Sequence, residues 1–448
     1  MIINVKKMPP DTGPAAWNAI LSHREPNAPL QEALEADYLV IGAGFAGLSA
    51  ARRLTQLKPD ARIVVLEGRG IATGPAGRNS GFMIDLPHDL TSDDYAGSSA
   101  DNDRRQTAMN RAAIDFAKQA ATDFSMPPEA LEASGKTNAA ATSKGLKHNL
   151  DYAEHLTRLG EDFKLLDAAA MQSLTGTDYY QGGLWTPGTV MLQPALYIRE
   201  LADGLQQSSG VTLFENSPVK SLTKNKNGWM VATPQGSVQS AKVIIAVNGL
   251  IEHFGFYTGC LMHLMLYGSM TQALKPAELE LLGGEPRWGF TPADPLGTTV
   301  RRISGTGGDR IIIRNCATYD PKMKTSTAKM SSVAKTHQNS FKARFPMLDD
   351  VEMEHSWDGR LCLSLNSVFA LGKVDDGLYS ACCQNGLGTA KGAVAGIVAA
   401  EQAAESAETL VPDYQVEAAP KKLPPEPLMW LGANSVMKWK EFRAGKEF

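Results

Sequence analysis

DYLVIGAGFAG, residues 37–47, decides the fold of this 448-residue chain. Its first five residues, Asp37 to Ile41, are mainly apolar and predict a short buried β-strand. A helical pattern follows from Phe45 to about Leu57, with leucines recurring on one face. A strand that turns through glycines directly into a helix is typical of the start of a βαβ unit.

Three glycines, Gly42, Gly44 and Gly47, give this turn the spacing G-x-G-x-x-G. The first permits a tight turn, the second lets the backbone approach a pyrophosphate, and the third lets the helix pack closely on the strand. The helix begins at Phe45 and Ala46, where free N–H groups and a partial positive charge favour phosphate. Because the glycines lie between a strand and a helix, they predict a dinucleotide site.

A second apolar strand, Arg62–Leu66, follows the helix after the breaker at residues 58–60. Two such strands joined by a helix predict a parallel sheet that is covered on both faces. Glu67 ends the second strand about 20 residues after Gly47, the distance at which an acid meets the ribose hydroxyls of a dinucleotide. A negative charge there disfavours NADP, since it would repel the 2′-phosphate.

The composition excludes several classes of protein. The formal net charge of −4 argues against a nucleic-acid partner, and no apolar run of about 18 residues predicts a membrane span. The first residues lack the apolar core of a secretory signal. The five cysteines are sparse and show no zinc spacing, so we expect no metal, a reducing compartment and a cytoplasmic location.

Small residues dominate the segment after Glu67, which reads GRGIATGPAGRNSGF from Gly68 to Phe82. Such a segment can lie flat against a large planar group, with backbone N–H groups at the polar edge of a ring. The segment therefore favours a flavin, and an NAD-only dehydrogenase is the less favoured interpretation.

Three further stretches follow in a fixed order along the chain. They are Asn216–Val219 with Asn227-Gly228-Trp229 and Ala246–Gly249, then His355–Gly359, then Asn385–Thr389 with Lys391-Gly392. Together with the G-R-N-S-G string, they resemble the D-amino acid oxidase-type FAD family, which includes glycine, sarcosine and γ-glutamylputrescine oxidases. The resemblance covers roughly residues 37–405. The N-terminal arm and the proline-rich tail are most similar to the γ-glutamylputrescine oxidase branch.

The glycine fingerprint and the resemblance together predict a set of residues that bind FAD. These are Gly42, Gly44, Phe45, Ala46, Gly47, Glu67, Gly68, Arg69, Gly77, Arg78, Asn79, Ser80, Gly81, Val219, Asn248, Gly249, Gly386, Leu387, Gly388 and Thr389. The resemblance also implies that the last of these glycine-rich turns begins a helix facing the pyrimidine carbonyl of the flavin. A helix N-terminus at that point would stabilise the negative charge of the reduced ring.

The expected fold class is α/β, with a Rossmann-like FAD-binding domain interleaved with an α+β substrate domain built on an antiparallel sheet. We expect a surface arm over residues 1–36 and a C-terminal tail over 406–448. The discontinuous FAD-binding domain would comprise 37–90, 182–250 and 351–405. The substrate domain would comprise 91–181 and 251–350.

The resemblance implies that a C–N bond of an amine or amino acid is oxidised to an imine, by hydride transfer to flavin N5, and then hydrolysed. No side-chain nucleophile is needed, because the flavin carries the chemistry. A substrate carboxylate would require an arginine, and Arg310, Arg314 and Arg78 are the candidates. Arg310 and Arg314 alternate on one strand and share a face. Tyr267 and Trp357 are candidate walls of the substrate pocket.

The electron acceptor is left open by the sequence. Some sarcosine-type relatives place a lysine beside flavin N5, but the strand at 310–316 has none. A dehydrogenase that passes electrons to a quinone or an electron-transfer protein is therefore the alternative to an oxidase. The basic stretch Met437–Phe448 is expected to pack on its own protein, so membrane attachment is not expected. A tRNA-modifying or non-catalytic FAD protein is disfavoured by the acidic charge.

Overall fold

The computed structural model describes residues 1–6, 13–87, 99–208, 210–411, 414 and 418–448. Residues 88–98, which contain the expected domain boundary at 90, lie outside the described residues. The α-helices of the described residues are α1 (Ala16–Ala19), α2 (Phe45–Leu57), α3 (Ala100–Asp123), α4 (Ser143–Leu159), α5 (Ala168–Thr175), α6 (Pro194–Ser208), α7 (Pro276–Leu282), α8 (Thr327–Arg344), α9 (Ala390–Ala403) and α10 (Leu428–Ala444).

The strands follow one another between these helices. In chain order they are β1 (Ile2–Asn4), β2 (Ala33–Ile41), β3 (Ile63–Leu66), β4 (Phe82–Met83), β5 (Leu131–Glu132), β6 (Lys136–Ala140), β7 (Lys164–Asp167), β8 (Gly182–Thr186), β9 (Val190–Leu192), β10 (Val211–Phe214), β11 (Ser221–Asn225), β12 (Gly228–Ala232), β13 (Ser237–Ile245), β14 (Leu261–Thr271), β15 (Trp288–Pro292), β16 (Thr299–Ile303), β17 (Arg310–Tyr319), β18 (Met353–Ser364), β19 (Ala370–Asp375) and β20 (Leu378–Cys382). They form three sheets in the described part of the chain.

The first sheet contains the predicted βαβ unit. Its order is β1-β11-β12-β13-β2-β3-β10, with β20 against β13 and β19 at the edge. The strands from β10 through β3, β2 and β13 to β20 are parallel, and β3 is buried along its whole length. This is the covered parallel core that continuous apolar strands predict.

Helices α2 and α9 cross on one face of this sheet at very short range. A Cβ on Gly396 would lie 2.1 Å from the carbonyl oxygen of Ala46, so only glycine allows this approach. The residues of α9 from Ala390 to Ala400 are almost all small and buried. The alanine-rich sequence of α9 therefore fits a helix packed against another backbone.

The second sheet is mainly antiparallel and has the order β18-β14-β17-β16-β15-β6-β8-β7, with only β15 and β6 parallel. Strand β14 lies between β17 and β18 over most of its length. The third sheet is small, with the order β4-β9-β5. The expected fold class, a Rossmann-like domain interleaved with a domain on an antiparallel sheet, is confirmed.

Two features of the fold bear on the expected domain organisation, which stays a proposal. Strands β8 and β18 belong to the second sheet, although the boundaries at 182 and 351 assign them to the FAD-binding domain. β8 is almost wholly buried and β18 is buried only in places, and neither pattern reveals which sheet the strand joins.

The second feature concerns the expected surface arm at 1–36. The side chain of Trp17 is completely buried, and β2 begins at Ala33 inside the arm. Burial of the large indole side chain of Trp17 stabilises the packing of this segment against the core.

Candidate active site

A cavity of about 350 Å³ lies between the first and second sheets. It begins at the carboxyl ends of β2 and β3, where open α/β sheets bind their ligands. All but three of the predicted FAD-binding residues line it; Gly47, Gly77 and Gly81 do not. The structure therefore brings together segments that are more than 300 residues apart in the sequence.

The glycines of the first turn have different structural roles. Gly42 has a φ of +103°, and a Cβ there would lie 2.6 Å from the carbonyl oxygen of Ala246. A Cβ on Gly47 would lie 1.8 Å from the carbonyl oxygen of Gly42. Gly44 differs, since its nearest neighbour would be Cβ of Ala76 at 3.5 Å. The space in front of Gly44 is open toward the cavity, as a bound pyrophosphate requires.

Helix α2 points its N-terminus into this space. Gly44 is the N-cap and has no side chain with which to cap the first N–H groups. Those groups, and the positive end of the helix dipole, favour an anionic ligand.

Glu67 lies at the end of β3, beside the glycine turn. Its carboxylate accepts hydrogen bonds from the backbone N–H groups of Ala43 at 2.9 Å and Arg69 at 3.0 Å. Burial raises the pKa of Glu67, and these N–H groups act in the opposite direction. The two bonds fix the carboxylate at the cavity, where its remaining lone pairs can accept ribose hydroxyls.

The predicted flavin segment, residues 68–82, is held in place by buried side chains. Trp17 Nε1 donates to the carbonyl of Asn79 at 2.8 Å, and Trp357 Nε1 donates to the carbonyl of Arg78 at 2.9 Å. Arg301 Nη1 donates to the carbonyl of Ser80 at 2.8 Å. Nothing local in the sequence links Trp17 or Arg301 to this segment.

Gly77 and Gly81 do not line the cavity but are required for this segment to pack. A Cβ on Gly77 would lie 2.0 Å from the carbonyl oxygen of Ala72. Gly81 has a φ of +77°, and a Cβ there would lie 2.1 Å from Arg301 Nη1. Their role is therefore to shape the segment, in contrast to the ligand contact expected of them.

The closing turn approaches from the other end of the chain. Asn385 and Gly386 both have positive φ, at 50° and 97°, and α9 begins four residues later. Thr389 Oγ1 donates to the carbonyl of Phe82 at 2.7 Å, which joins this turn to the flavin segment. A second helix N-terminus therefore lies at the cavity, close to the first: a Cβ on Gly392 would lie 3.1 Å from Cβ of Phe45.

The second sheet forms the facing wall. Tyr267 and Gly268 on β14, Ile312 and Arg314 on β17, and Trp357 on β18 line the cavity. The candidate pocket walls Tyr267 and Trp357 are thus placed at the cavity. The hydroxyl of Tyr267 donates to Thr318 Oγ1 at 3.2 Å, and burial raises the pKa of this tyrosine.

The three candidate arginines differ in their position relative to the cavity and in their hydrogen-bond partners. Arg314 lines the cavity. Arg310 does not; its guanidinium donates to the carbonyls of Gly307 and Thr271 and forms an ion pair with Glu354. The two-residue repeat of a β-strand predicts that Arg310 and Arg314 lie on the same face. Arg310 is the first residue of β17, however, and this end of the strand extends beyond the cavity. Arg310 is therefore excluded as a ligand of this cavity.

Arg78 lines the cavity but has structural partners. Its Nε donates to the carbonyl of Asp358 at 2.7 Å, its Nη1 donates to the carbonyl of Gly13 at 2.7 Å, and its Nη2 lies 3.3 Å from Oδ1 of Asp358. These bonds tie the flavin segment to β18 and to the N-terminal arm. A clamp on a substrate carboxylate would compete with all of these bonds of Arg78.

Sequence reasoning missed a buried lysine behind the cavity wall. Lys136 on β6 donates to Thr291 Oγ1 at 3.1 Å and to Asn138 Oδ1, and Thr291 lines the cavity. Burial lowers the pKa of Lys136 to about 8. A lysine within a polar strand pattern gives no signal of burial, because its depth depends on pairing with the distant strand β15.

His253 and His263 also line the cavity. His263 Nε2 lies 2.6 Å from Glu252 Oε2. Burial lowers the pKa of His253, and the neighbouring His263 acts in the same direction.

Two further properties of the described residues bear on the class of site. No cluster of three or more His, Cys, Asp or Glu side chains there is placed to hold a metal ion. None of the helices in the described ranges has the length and apolar character needed to cross a bilayer.

The residues present fit a flavin dinucleotide. The cavity offers two helix N-termini, a fixed carboxylate and an open glycine, on a βαβ unit whose crevice is the usual dinucleotide site. A profile of the family described as "FAD dependent oxidoreductase" matches residues 37–402. The chain therefore belongs to this family, and is an oxidoreductase of the flavin-dependent class.

Individual relatives agree with this class. The chain is 25% identical over 379 residues to a probable oxidoreductase, OrdL, of Haemophilus influenzae, covering 83% of this chain and 84% of the relative. It is 24% identical over 365 residues to the gamma-glutamylputrescine oxidoreductase of Escherichia coli, covering 78% and 79%. The crystal structure of glycine oxidase from Geobacillus kaustophilus superposes with a TM-score of 0.68 at 16% identity, over 84% of this chain and 96% of that one.

Proposed function

We propose that this enzyme uses FAD to oxidise a C–N bond of a small amine or amino acid to an imine, which water then hydrolyses. The preferred substrates are secondary amino acids such as sarcosine or iminodiacetate, or γ-glutamyl amines. The observation that carries the proposal is a single cavity with dinucleotide-binding groups on one wall and Arg314 on the facing wall. The similarity to an amine oxidoreductase along most of the chain supports it.

The cofactor half of the site would be formed by residues of the first sheet and its helices. The N-terminus of α2 would hold the pyrophosphate, and Glu67 would accept the ribose hydroxyls. The backbone of Val219 would lie against the adenine, and the segment Arg78–Ser80 against the flavin ring. Each of these lines the cavity.

Bound FAD would supply the acceptor for the hydride that leaves the donor carbon. The N-terminus of α9, at Gly388 and Thr389, would favour the negative charge that arises on hydride transfer. The buried residues Trp357 and Tyr267 would exclude water from the reacting carbon. None of these steps needs a side-chain nucleophile.

Arg314 would bind a substrate carboxylate and fix which carbon faces the cofactor. An arginine can hold a carboxylate through two parallel hydrogen bonds, so it restricts both position and orientation. Of the three arginines predicted for this role, Arg314 and Arg78 line the cavity, and Arg310 does not. A substrate that lacks a carboxylate should therefore bind less tightly.

A dehydrogenase is the second candidate, with a quinone or an electron-transfer protein in place of oxygen. The observation in its favour is that no lysine is found among the described residues that line the cavity. Lys136 is separated from the cavity by Thr291.

The test is anaerobic reduction of the FAD-loaded enzyme by a panel of amines, primary and secondary amino acids, γ-glutamyl amines and 2-hydroxy acids. We expect the visible flavin bands to bleach with a secondary amino acid or a γ-glutamyl amine. Bleaching by a 2-hydroxy acid alone would contradict C–N oxidation. Readmission of air then distinguishes the acceptors, since rapid recovery with peroxide indicates an oxidase and slow recovery a dehydrogenase.

A further inference from the structure

Two polar side chains attach helix α10 to the protein. Asn434 accepts a hydrogen bond from the N–H of Tyr319 at 3.0 Å and donates to the carbonyl of the same residue at 3.1 Å. Glu441 accepts from the N–H of Ala317 at 2.9 Å. These side chains form hydrogen bonds with backbone groups near the end of β17, beyond the residues that pair with β16. The orientation of α10 is therefore set by hydrogen bonds to a strand edge.

The apolar side chains of α10 consequently point outward. Leu428 and Leu431 lie on the same helical face as Trp439 and Phe442, at spacings of three, eleven and fourteen residues from the first. Their exposed fractions are 65%, 53%, 54% and 84%, and Val436 beside them is 54% exposed. A surface helix ordinarily buries most of its large apolar side chains, whereas α10 leaves these five exposed.

Cations surround this apolar face. Lys438, Arg443 and Lys446 are exposed, and the guanidinium of Arg443 lies 4.8 Å from the ring centre of Trp439. The acid on the helix, Glu441, faces inward to Ala317. The whole chain has a net charge of −4, so this positive surface is a local feature.

We propose that the outward face of α10 binds the surface of an anionic lipid bilayer. A helix with Trp, Phe and Leu on one face and Lys and Arg beside them lies in the membrane interface, with its apolar side chains below the headgroups. Anionic headgroups attract the cations, and aromatic side chains favour the interface. The earlier expectation that this stretch packs on its own protein accounts only for its inner face.

A second copy of the chain fits this surface less well. A twofold contact would place the same patch on both partners, so Lys438 and Arg443 would face their own copies. Like charges at an interface oppose binding. A bilayer also needs no groove to receive a convex helix, whereas a protein partner does.

The experiment is flotation of the full-length, FAD-loaded enzyme with vesicles of phosphatidylcholine, with and without phosphatidylglycerol. We expect the enzyme to float only with the anionic vesicles and to dissociate at high salt. The variant K438Q/R443Q should reduce the partition by about 30-fold. The variant W439S/F442S should reduce it by at least about 100-fold.

Matched controls separate this surface from general effects. Leu150→Ser removes a 52% exposed leucine from α4, and Lys226→Gln removes an exposed cation from the β11–β12 turn. Both should float as wild type does. Turnover of a soluble substrate should be equal in all variants, which shows that the fold is intact.

Three results would overturn the proposal. The wild type could remain in solution with anionic vesicles, or W439S/F442S could float as well as wild type. Sedimentation could instead show a dimer that W439S/F442S dissociates, which would mean that a second copy covers the face. None of these results depends on the substrate or on the cofactor proposal.

Discussion

Gly42, Gly44 and Gly47 belong to one motif but are required for different reasons. The first and third are fixed by contacts within the protein, since an added Cβ would approach a carbonyl oxygen to 2.6 Å or less. Gly44 has no such contact, so the absence of a side chain there matters only if a ligand occupies the cavity in front of it. Substitution at these positions therefore separates folding from ligand binding.

Gly44→Ala should yield a stably folded protein that binds FAD about 10- to 100-fold more weakly, because the new methyl group occupies the space of the pyrophosphate. Gly47→Ala should fail to fold or lose more than about 4 kcal/mol of stability. Thermal unfolding and fluorescence titration with FAD measure the two effects. Gly432→Ala on α10, where a Cβ meets nothing within 4 Å, is the control. Normal FAD affinity in Gly44→Ala would rule out the assigned role.

Arg314→Ala should raise KM for a carboxylate-bearing substrate by about 100-fold, because a charged, bidentate contact is lost. Steady-state kinetics with an amino acid and with the matching amine, which lacks the carboxylate, measure this change. Arg310→Ala is the matched control; it should lower the unfolding temperature through loss of the Glu354 pair and leave KM within about threefold. A larger KM effect at Arg310 than at Arg314 would contradict the assignment.

The buried Lys136 makes stability depend on pH in a defined direction. Its pKa is about 8 in the folded protein, below its ordinary value of 10.5, so the unfolded chain binds more protons between these values. The free energy of unfolding of wild type, relative to Lys136→Met, should therefore rise from pH 8 to pH 10.5 by up to about 3 kcal/mol. Urea unfolding of both proteins across this range measures it. A difference that is constant with pH would show that the lysine is not perturbed.

At the scale of elements, β16 supports the flavin segment through one side chain. Arg301 Nη1 donates to the carbonyls of Ser80 and Leu192, both at 2.8 Å, and its guanidinium lies near the rings of Trp17 and Phe82. Burial lowers the pKa of this arginine to about 10. The strand thus joins the second sheet to the segment that would hold the flavin.

Arg301→Met should lower the stability by about 2–3 kcal/mol and weaken FAD binding, because two buried carbonyls lose their donor. Arg302→Met is the control on the same strand, since Arg302 donates to the carbonyl of Gly283, away from the cavity. It should leave the FAD affinity unchanged. Equal FAD affinity in the two variants would show that β16 does not support the segment.

Elements whose residues act locally could be predicted from the sequence. The spacing of apolar residues and glycines predicted helix α2 over Phe45–Leu57, as the structure has it. The roles of side chains that contact residues distant in the sequence could not be predicted. Arg310 and Arg314 have the same local pattern, and only the position of the cavity along β17 distinguishes them. Trp17 contacts the flavin segment across 62 residues of sequence, so no periodicity reveals it.

For the whole molecule, the cavity depends on the interleaving of two sheets. The first sheet takes strands from residues 2–4 to 370–382, and the second takes β8 and β18 from stretches predicted to belong to the first. A strand sequence indicates its own burial but not its partners, so sheet membership is the part of the fold that sequence patterns determine least. The wall proposed to hold the cofactor is formed by contiguous motifs, which a sequence pattern can indicate, whereas the facing wall is formed by strand pairing.

The central claim is that this cavity holds FAD, and the direct measurement is of the chromophore itself. The protein is purified, titrated with FAD, freed of excess cofactor and unfolded, and the released chromophore is identified and quantified against protein. We expect one FAD per chain for wild type and markedly less for Gly44→Ala, with both apoproteins folded. A folded wild type that is colourless and retains no FAD after titration would show that the cavity does not bind FAD.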